Sequence, residues 1–178
     1  MLMAGHNKWS KIKRQKEKTD VQKSKIFSKL ANAITVASRE VKGDMNSPTL
    51  RAVIDKASEF NMPRENIERA VKKGTGGEGE KMESIVYESY GPGGSALMIS
   101  ALTTNRNKAA QEVKHVLSQF GFELASPGSA SWAFKKENGE WIPTNTTPLS
   151  QEDEKVLENL IEKLEENDEV QDVYTNAE

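Results

Sequence analysis

The sequence of 178 residues contains no cysteine, which excludes disulfide bonds, thiol catalysis and metal sites built on cysteine. It has no apolar run near the ~18 residues that a membrane-spanning helix needs. A hydrophobic signal region is also missing from the N-terminus. We therefore expect a cytoplasmic protein that makes no contact with a membrane. Aromatic residues make up 6% and charged residues 29% of the chain, so each hydrophobic core should be modest.

Patterns for catalysis and metal binding are scarce as well. The two histidines, His6 and His115, have no partner at the spacing of metal ligands. The sequence contains no nucleophile elbow. Residues 74–79 fit the letters G-x-G-x-x-G, but a helix is predicted before them and a strand after them, the reverse of what a dinucleotide site requires. We therefore expect no enzyme, no cofactor, no metal and no small-molecule substrate.

What the chain does have is a strong asymmetry of charge. Residues 1–42 contain eleven lysines and arginines against three acids, whereas residues 137–178 contain thirteen acids and two lysines. A basic end on a chain whose net charge is only −2 indicates contact with a polyanion at that end. The acidic end is open to a second interpretation, that it shields the basic end or competes for it.

The basic end combines cations with one aromatic residue. Phosphates neutralise lysine and arginine, and an indole stacks on a base, so the mixture favours nucleic acid over a merely solvated arm. Trp9 either stacks on a base or anchors the arm to the folded part of the chain. The candidate nucleic-acid-binding residues of the arm are Lys8, Trp9, Lys11, Lys13, Arg14, Lys16 and Lys18, and Lys23, Lys25 and Lys29 extend them along the first helix.

Apolar residues at helical spacing predict three amphipathic helices, over residues 21–42, from Pro48 to Phe60, and from Pro63 to Lys73 with a stop at Gly74. Such short helices are unstable alone, so we expect a three-helix bundle. Arg64 and Arg69 of the third helix are candidates for reaching base edges. A helix-turn-helix reader is only weakly indicated, because no Asn/Arg/Gln cluster marks a recognition helix.

After the glycine-rich residues 75–82 the apolar period changes from helical to alternating. The sequence predicts strands at 84–90, 96–102, 122–125 and 129–134, a hairpin at Asn138-Gly139 and a last strand at 170–175. Helices are predicted after Thr104 or Asn105 and after Ser150. Arg106 lies at the start of the first of these helices, and a helix N-terminus with a nearby cation can bind an anion. A helix cap with ordinary surface charge explains the polar residues there equally well. Five apolar residues of the acidic second helix, centred on Leu160, predict that it packs in the core.

We therefore predict an α+β protein: an N-terminal three-helix bundle followed by a ferredoxin-like split β-α-β domain. The expected boundaries are a basic arm at 1–19, the bundle at 20–74, a hinge at 75–82 and the α+β domain at 83–178.

Six stretches of the chain resemble the YebC/PmpR family of probable transcriptional regulators, which has mitochondrial relatives that activate translation. They are AGHNKWSKIK (4–13), KIFSKL (25–30), NMPRENIERA (61–70), YESYGPGG (87–94), TNRN (104–107) and DEVQDVY (168–174). The resemblance implies a third domain inserted within the second. Here Phe134 is joined to Pro143 by one hairpin, so we expect a shortened member.

The resemblance implies a nucleic-acid-binding regulator, and two functions stay open. The first is a transcriptional regulator that binds DNA through the basic N-terminal region. The second is a ribosome-associated translation factor that binds ribosomal RNA and relieves stalled translation. A flexible basic arm with one aromatic suits irregular RNA surfaces better than a major groove. The expected partner is therefore DNA or ribosomal RNA, with the ribosome itself under the second function.

Overall fold

The computed structural model describes residues 20–77 and 79–178, which fall into two compact units divided in sequence between Met82 and Glu83. The first unit is helical and the second contains both helices and strands. The predicted arm, residues 1–19, lies outside the described residues.

Three helices build the helical unit: α1 (Asp20–Glu40), α2 (Pro48–Glu59) and α3 (Arg64–Thr75). Each buries one apolar stripe, and the shared core is lined by Leu30, Ile34, Leu50, Ala57, Met62, Ile67 and Ala70. Helix α1 ends where Lys42 and Gly43 adopt positive φ, which lets the Gly43 N–H donate to the Ser38 carbonyl at 2.8 Å. The predicted three-helix arrangement is therefore confirmed for these residues.

Helices α1 and α3 approach closely at a glycine. Gly74 is buried, and the hydroxyls of Thr35 and Ser38 on α1 donate to the carbonyls of Ala70 and Val71 on α3 at 3.2 and 2.8 Å. The prediction that α3 stops at Gly74 was wrong, because the helix continues to Thr75. Gly74 serves close helix packing instead of a turn.

The second unit contains six strands and two helices. The strands are β1 (Glu83–Tyr90), β2 (Ala96–Thr103), β3 (Leu124–Ala125), β4 (Phe134–Glu137), β5 (Glu140–Pro143) and β6 (Val170–Thr175). The helices are α4 (Arg106–Gln119) and α5 (Gln151–Glu165). Asn105 and Ser150 cap them, each accepting a bond from a backbone N–H three residues later.

Four of the strands form one antiparallel sheet in the order β3-β1-β2-β6, and β4 pairs with β5 in a separate hairpin. The predicted α+β class is confirmed. The chain order differs in detail from the β-α-β-β-α-β motif, since the unit opens with the hairpin β1–β2 and the first helix follows it. The hairpin predicted at Asn138-Gly139 is present, with positive φ at both residues.

The two faces of the four-stranded sheet are covered differently. One face, with Leu97, Ile99 and Val173, packs on α4 and α5 through residues such as Val113 and Leu160. The other face, with Ala96, Met98 and Tyr174, is covered by the segment that runs from Ala130 to Trp141. Burial raises the pKa of the Tyr174 hydroxyl, and Asp172 and Glu140 raise it further.

Residues 129–133, predicted as a strand, form a turn and a short 3-10 helix. The backbone N–H groups of Gly128, Ala130 and Ser131 donate to the carboxylate of Glu88 on β1 at 2.8, 2.7 and 3.0 Å. These donors are therefore directed at a side chain instead of at a neighbouring strand. The sequence pattern alone contains no sign of this long-range bond.

Candidate nucleic-acid interface

Most of the predicted binding residues belong to the arm. Lys8, Trp9, Lys11, Lys13, Arg14, Lys16 and Lys18 all lie outside the described residues. Among the described residues, the candidate interface therefore begins at α1.

Helix α1 places two of its three predicted cations on the surface. The side chains of Lys23 and Lys25 are exposed in the first two turns, whereas Lys29 is only 9% exposed beside the bundle core. The separation follows from helical geometry, because Lys29 lies next to Leu30 and Phe27 on the packed side. Lys23 and Lys25 are thus the described α1 cations that a polyanion can reach directly.

The two arginines of α3 already contact acids of the same helix. Arg64 lies 2.8 Å from Glu68 and Arg69 lies 3.3 Å from Glu65, both pairs being exposed and four residues apart. Exposed pairs of this kind contribute little to stability, so an anionic ligand can displace the carboxylates. Each arginine must nevertheless give up an intrahelical partner before it reads a base.

Arg106 has a similar partner at the start of α4. Its guanidinium lies 3.5 Å from Glu83, and its carbonyl accepts a 3.4 Å hydrogen bond from the Tyr87 hydroxyl. Burial raises the pKa of Tyr87; Arg106 opposes this and Glu169 adds to it. Lys108 lies between Glu112 and Glu169, at 3.7 and 3.9 Å. The cations of this helix start are therefore largely balanced by acids.

The charge asymmetry of the sequence is divided between the two folded units. Residues 20–82 contain twelve lysines and arginines against nine acids, and residues 83–178 contain seven against seventeen. The helical unit is the more basic of the two and directly follows the basic arm in sequence. It is the better candidate to contact a nucleic-acid backbone.

The sequence reasoning missed one arrangement on the α+β unit. Trp132 donates from its indole Nε1 to the Tyr90 hydroxyl at 2.8 Å, and that hydroxyl bonds the Ser129 carbonyl. Burial alone raises the pKa of the neighbouring Glu88, but the three backbone donors outweigh it and hold that pKa below its ordinary value. In the sequence, the one sign of this arrangement is that Trp132 falls in a predicted strand. The residue type alone does not show whether its side chain is exposed.

Residues 20–77 and 79–178 contain neither a cluster of metal ligands nor a membrane-spanning helix. No group of three or more His, Asp or Glu side chains is arranged there to hold a metal ion. None of the helices in this part of the chain is long and apolar enough to cross a membrane.

Comparison with protein families gives matches over nearly the whole chain. Residues 7–77 match the model described as the TACO1/YebC protein N-terminal domain. Residues 82–139 and 135–177 match the model of the TACO1/YebC second and third domain. The second model is thus matched in two pieces that overlap at residues 135–139, within the β4–β5 hairpin.

Three of the curated relatives share the name "probable transcriptional regulatory protein". A "probable transcriptional regulatory protein" of Fervidobacterium nodosum is 48% identical over 94% of this chain and 68% of its own length. One from Halothermothrix orenii is 46% identical over 98% of this chain and 70% of its own length. One from Caldanaerobacter subterraneus is 36% identical over 99% of this chain and 98% of its own length.

The last of these alignments runs over 239 positions, more than the 178 residues of this chain, so part of that relative has no counterpart here. Among solved structures, a conserved hypothetical protein from Aquifex aeolicus superposes with a TM-score of 0.77 at 32% identity. The superposition covers 90% of this chain and 92% of that one.

Proposed function

Because this chain belongs to the TACO1/YebC family, we propose that it is a regulatory protein that binds nucleic acid through its basic N-terminal region. In the first form of the proposal the ligand is promoter DNA and the protein regulates transcription, as the names of its relatives suggest. The protein acts by binding alone and performs no chemistry.

One observation carries the proposal: the cations are concentrated in the first half of the chain. The helical unit has a surplus of positive charge, and Lys23 and Lys25 extend the basic arm onto the exposed side of α1. The α+β unit has a large surplus of acids, which repels phosphates from most of its surface. A polyanion is therefore drawn to the arm and α1.

The salt dependence of affinity tests this proposal. For B-DNA the log–log slope of affinity against salt is about −0.9 per phosphate contacted. Replacing Lys11, Lys13, Arg14 and Lys16 by Ala should flatten the slope by several units. The pair Lys23→Ala/Lys25→Ala should flatten it by up to about two. Fluorescence anisotropy with a labelled duplex at about 50–200 mM salt measures both.

A matched control removes the same charge elsewhere. The pair Lys155→Ala/Lys163→Ala takes two exposed lysines from the acidic helix α5 and gives the same net charge as the α1 pair. Its slope should equal that of the unchanged protein. Equal slopes for all of these proteins would falsify binding through the N-terminal region.

A second function is favoured by a specific observation on α3. Arg64 and Arg69 are engaged with Glu68 and Glu65, so α3 does not present unpaired arginines for reading bases in a major groove. A protein that binds mainly to the backbone suits structured RNA, which is recognised largely by shape. In this form the protein is a ribosome-associated translation factor that binds ribosomal RNA and relieves stalled translation.

Sedimentation of cell lysate through a sucrose gradient separates the two forms. Co-migration with ribosomes at low salt, lost at high salt, supports the translation factor. Absence from the ribosomal fractions, together with recovery on DNA after crosslinking, supports the transcriptional regulator.

A further inference from the structure

The α+β unit carries an exposed tryptophan that the proposed function does not use. Trp132 is 60% exposed, Tyr90, to which it is hydrogen-bonded, is 38% exposed, and Val86 on the same strand as Tyr90 is 37% exposed. Val86, Glu88 and Tyr90 lie two residues apart along β1 and therefore share one face of the sheet. They are paired with Ser100, Met98 and Ala96 of β2, respectively. All three exposed side chains therefore belong to the sheet face that α4 and α5 do not cover.

The indole of Trp132 is exposed but held in place. Its N–H donates to Tyr90, whose hydroxyl is bonded to Ser129, and the segment before it is fixed to Glu88 by three backbone donors. The edge of the ring is thus engaged while the side chain stays open to solvent. An aromatic surface fixed in this way binds a flat partner without first losing rotamer freedom.

The sequence around Trp132 is basic, although the Glu88 carboxylate bonds the segment before it and the unit as a whole is acidic. Residues 124–136 contain no acid, and exposed Lys135 and Lys136 follow Trp132 closely in sequence. The Lys136 ammonium lies 5.7 Å from the centre of the Trp141 ring, and Lys135 lies 3.1 Å from Glu137 in an exposed pair. The acids of α5 belong to a helix that packs on the opposite face of the sheet.

We propose that Trp132 is a stacking platform for an unpaired base of single-stranded nucleic acid, and that Lys135 and Lys136 bind the adjoining phosphates. The inference rests on the proposed function, because it assumes a nucleic-acid ligand. Every base has a flat π face, so such a platform tolerates any sequence. It adds to the basic arm a contact that duplex DNA cannot make, because the bases of a duplex are already stacked.

The character of the patch favours a base over a protein. A stable protein interface needs roughly 800 Å² on each partner, with several large apolar residues at its centre. Here the only other large exposed apolar residues described on this face are Tyr90 and Val86, both less exposed than Trp132, and two lysines follow Trp132 in sequence. A patch with so few exposed apolar residues fits one unpaired base better than it fits the broad apolar centre of a protein interface.

The test compares full-length variants on a short single-stranded RNA and on the duplex of the same sequence. Trp132→Ala should weaken binding of the single strand by about 5- to 100-fold, the range for loss of one stacked base. Duplex binding should stay within about twofold, and the salt slope should not change, because no charge is removed. Trp132→Phe retains a ring and should recover most of the loss.

Two matched variants separate stacking from folding. Tyr90→Phe removes only the hydroxyl that anchors the indole and should cause a smaller loss than Trp132→Ala. Lys135→Ala/Lys136→Ala should flatten the salt slope on the single strand. Far-UV circular dichroism of each variant should match that of the unchanged protein.

The outcomes also distinguish this proposal from the function on which it rests. If the unchanged protein binds neither ligand, both fail. If it binds both, and Trp132→Ala lowers the affinity for neither or for both equally, the platform fails while the function stands. If Trp132→Ala leaves RNA binding intact but lowers the sedimentation coefficient of the protein, the surface is an interface between copies, and the platform is rejected.

Discussion

Gly74 of α3 packs so closely on Thr35 of α1 that a methyl group at Gly74 would lie 2.6 Å from the Thr35 carbonyl oxygen. It would also lie 2.7 Å from the Ser38 Cβ. Backbone atoms cannot move aside as a flexible side chain does, so Gly74→Ala should force α1 and α3 apart. We expect the free energy of unfolding of the helical unit to fall by about 1–3 kcal/mol, as in other overpacked cores. Urea unfolding followed by circular dichroism measures this change.

Gly76→Ala is the matched control, because Gly76 lies just after α3 with ordinary helical φ. The closest atom to its added methyl would be the Lys72 carbonyl oxygen at 3.4 Å. The replacement should leave stability unchanged or raise it by a few tenths of a kcal/mol. Similar losses at both positions would show that close packing is not the role of Gly74.

A second prediction concerns Glu88 and pH. Its carboxylate accepts three backbone N–H bonds, which hold its pKa below the ordinary value against the opposite effect of burial. Charged Glu88 therefore stabilises the fold above the pKa of the unfolded chain, near 4, and this stabilisation is lost as the pH falls through the lower folded pKa. Glu88→Gln should cost on the order of 1 kcal/mol at neutral pH, since the group is half-buried.

The difference between Glu88→Gln and the unchanged protein should shrink when unfolding is measured near pH 3. Glu123→Gln, a change at an exposed acid of the same unit, should show no comparable pH dependence. A constant difference at both pH values would mean that packing, not charge, accounts for the effect of Glu88.

The third prediction concerns the acidic helix α5. Leu157, Leu160 and Leu164 are completely buried, which confirms the sequence-based prediction that the helix packs in the core. Leu160→Ala should lower the free energy of unfolding of the α+β unit by about 2–5 kcal/mol. Thermal unfolding measures the loss, and Val21→Ala, at a residue 76% exposed on α1, is the neutral control.

Removal of residues 149–178 extends the same argument. The truncation takes away α5 and the edge strand β6, and with them much of the larger core. The α+β unit should unfold, while the helical unit and its affinity for duplex nucleic acid remain largely intact. A truncated protein with a cooperative transition for both units and much tighter binding would instead identify the segment as an autoinhibitory tail.

The fourth prediction concerns the proposed hinge at 75–82. Gly77 and Gly79 have positive φ, and exposed Lys81 lies between α3 and β1. Lys73 is part of α3, so its helix protects the bond that follows it. Limited trypsin digestion should therefore cut first after Lys81 or within residues 1–19. Early cleavage within 100–120 would place the boundary elsewhere.

Much of the fold follows from local sequence. The helix starts at Pro48 and Ser150, the hairpin at Asn138-Gly139 and the burial of Leu160 follow from capping, turn chemistry and apolar period. Each of these depends on residues within a few positions of one another, so a single sequence predicts them. The α+β class and the family follow in the same way, from the order of elements and from contiguous motifs.

The features that the sequence did not predict involve residues far apart in the chain. Gly74 lies inside α3 and packs closely against α1, and the backbone donors of Gly128, Ala130 and Ser131 bond Glu88, some forty positions earlier, instead of a neighbouring strand. The exposure of a lysine side chain is decided in the same way: Lys23, Lys25 and Lys29 look alike in sequence, but tertiary packing buries Lys29.

The sequence by itself determined where the charges are, where most of the helices and strands lie, and which family the chain belongs to. The tertiary structure decided which of the described charges are accessible, which are balanced by acids, and that Trp132 is held on the surface. The physical reason is that secondary structure depends on neighbouring residues, whereas exposure and ion pairing depend on which distant segments pack together.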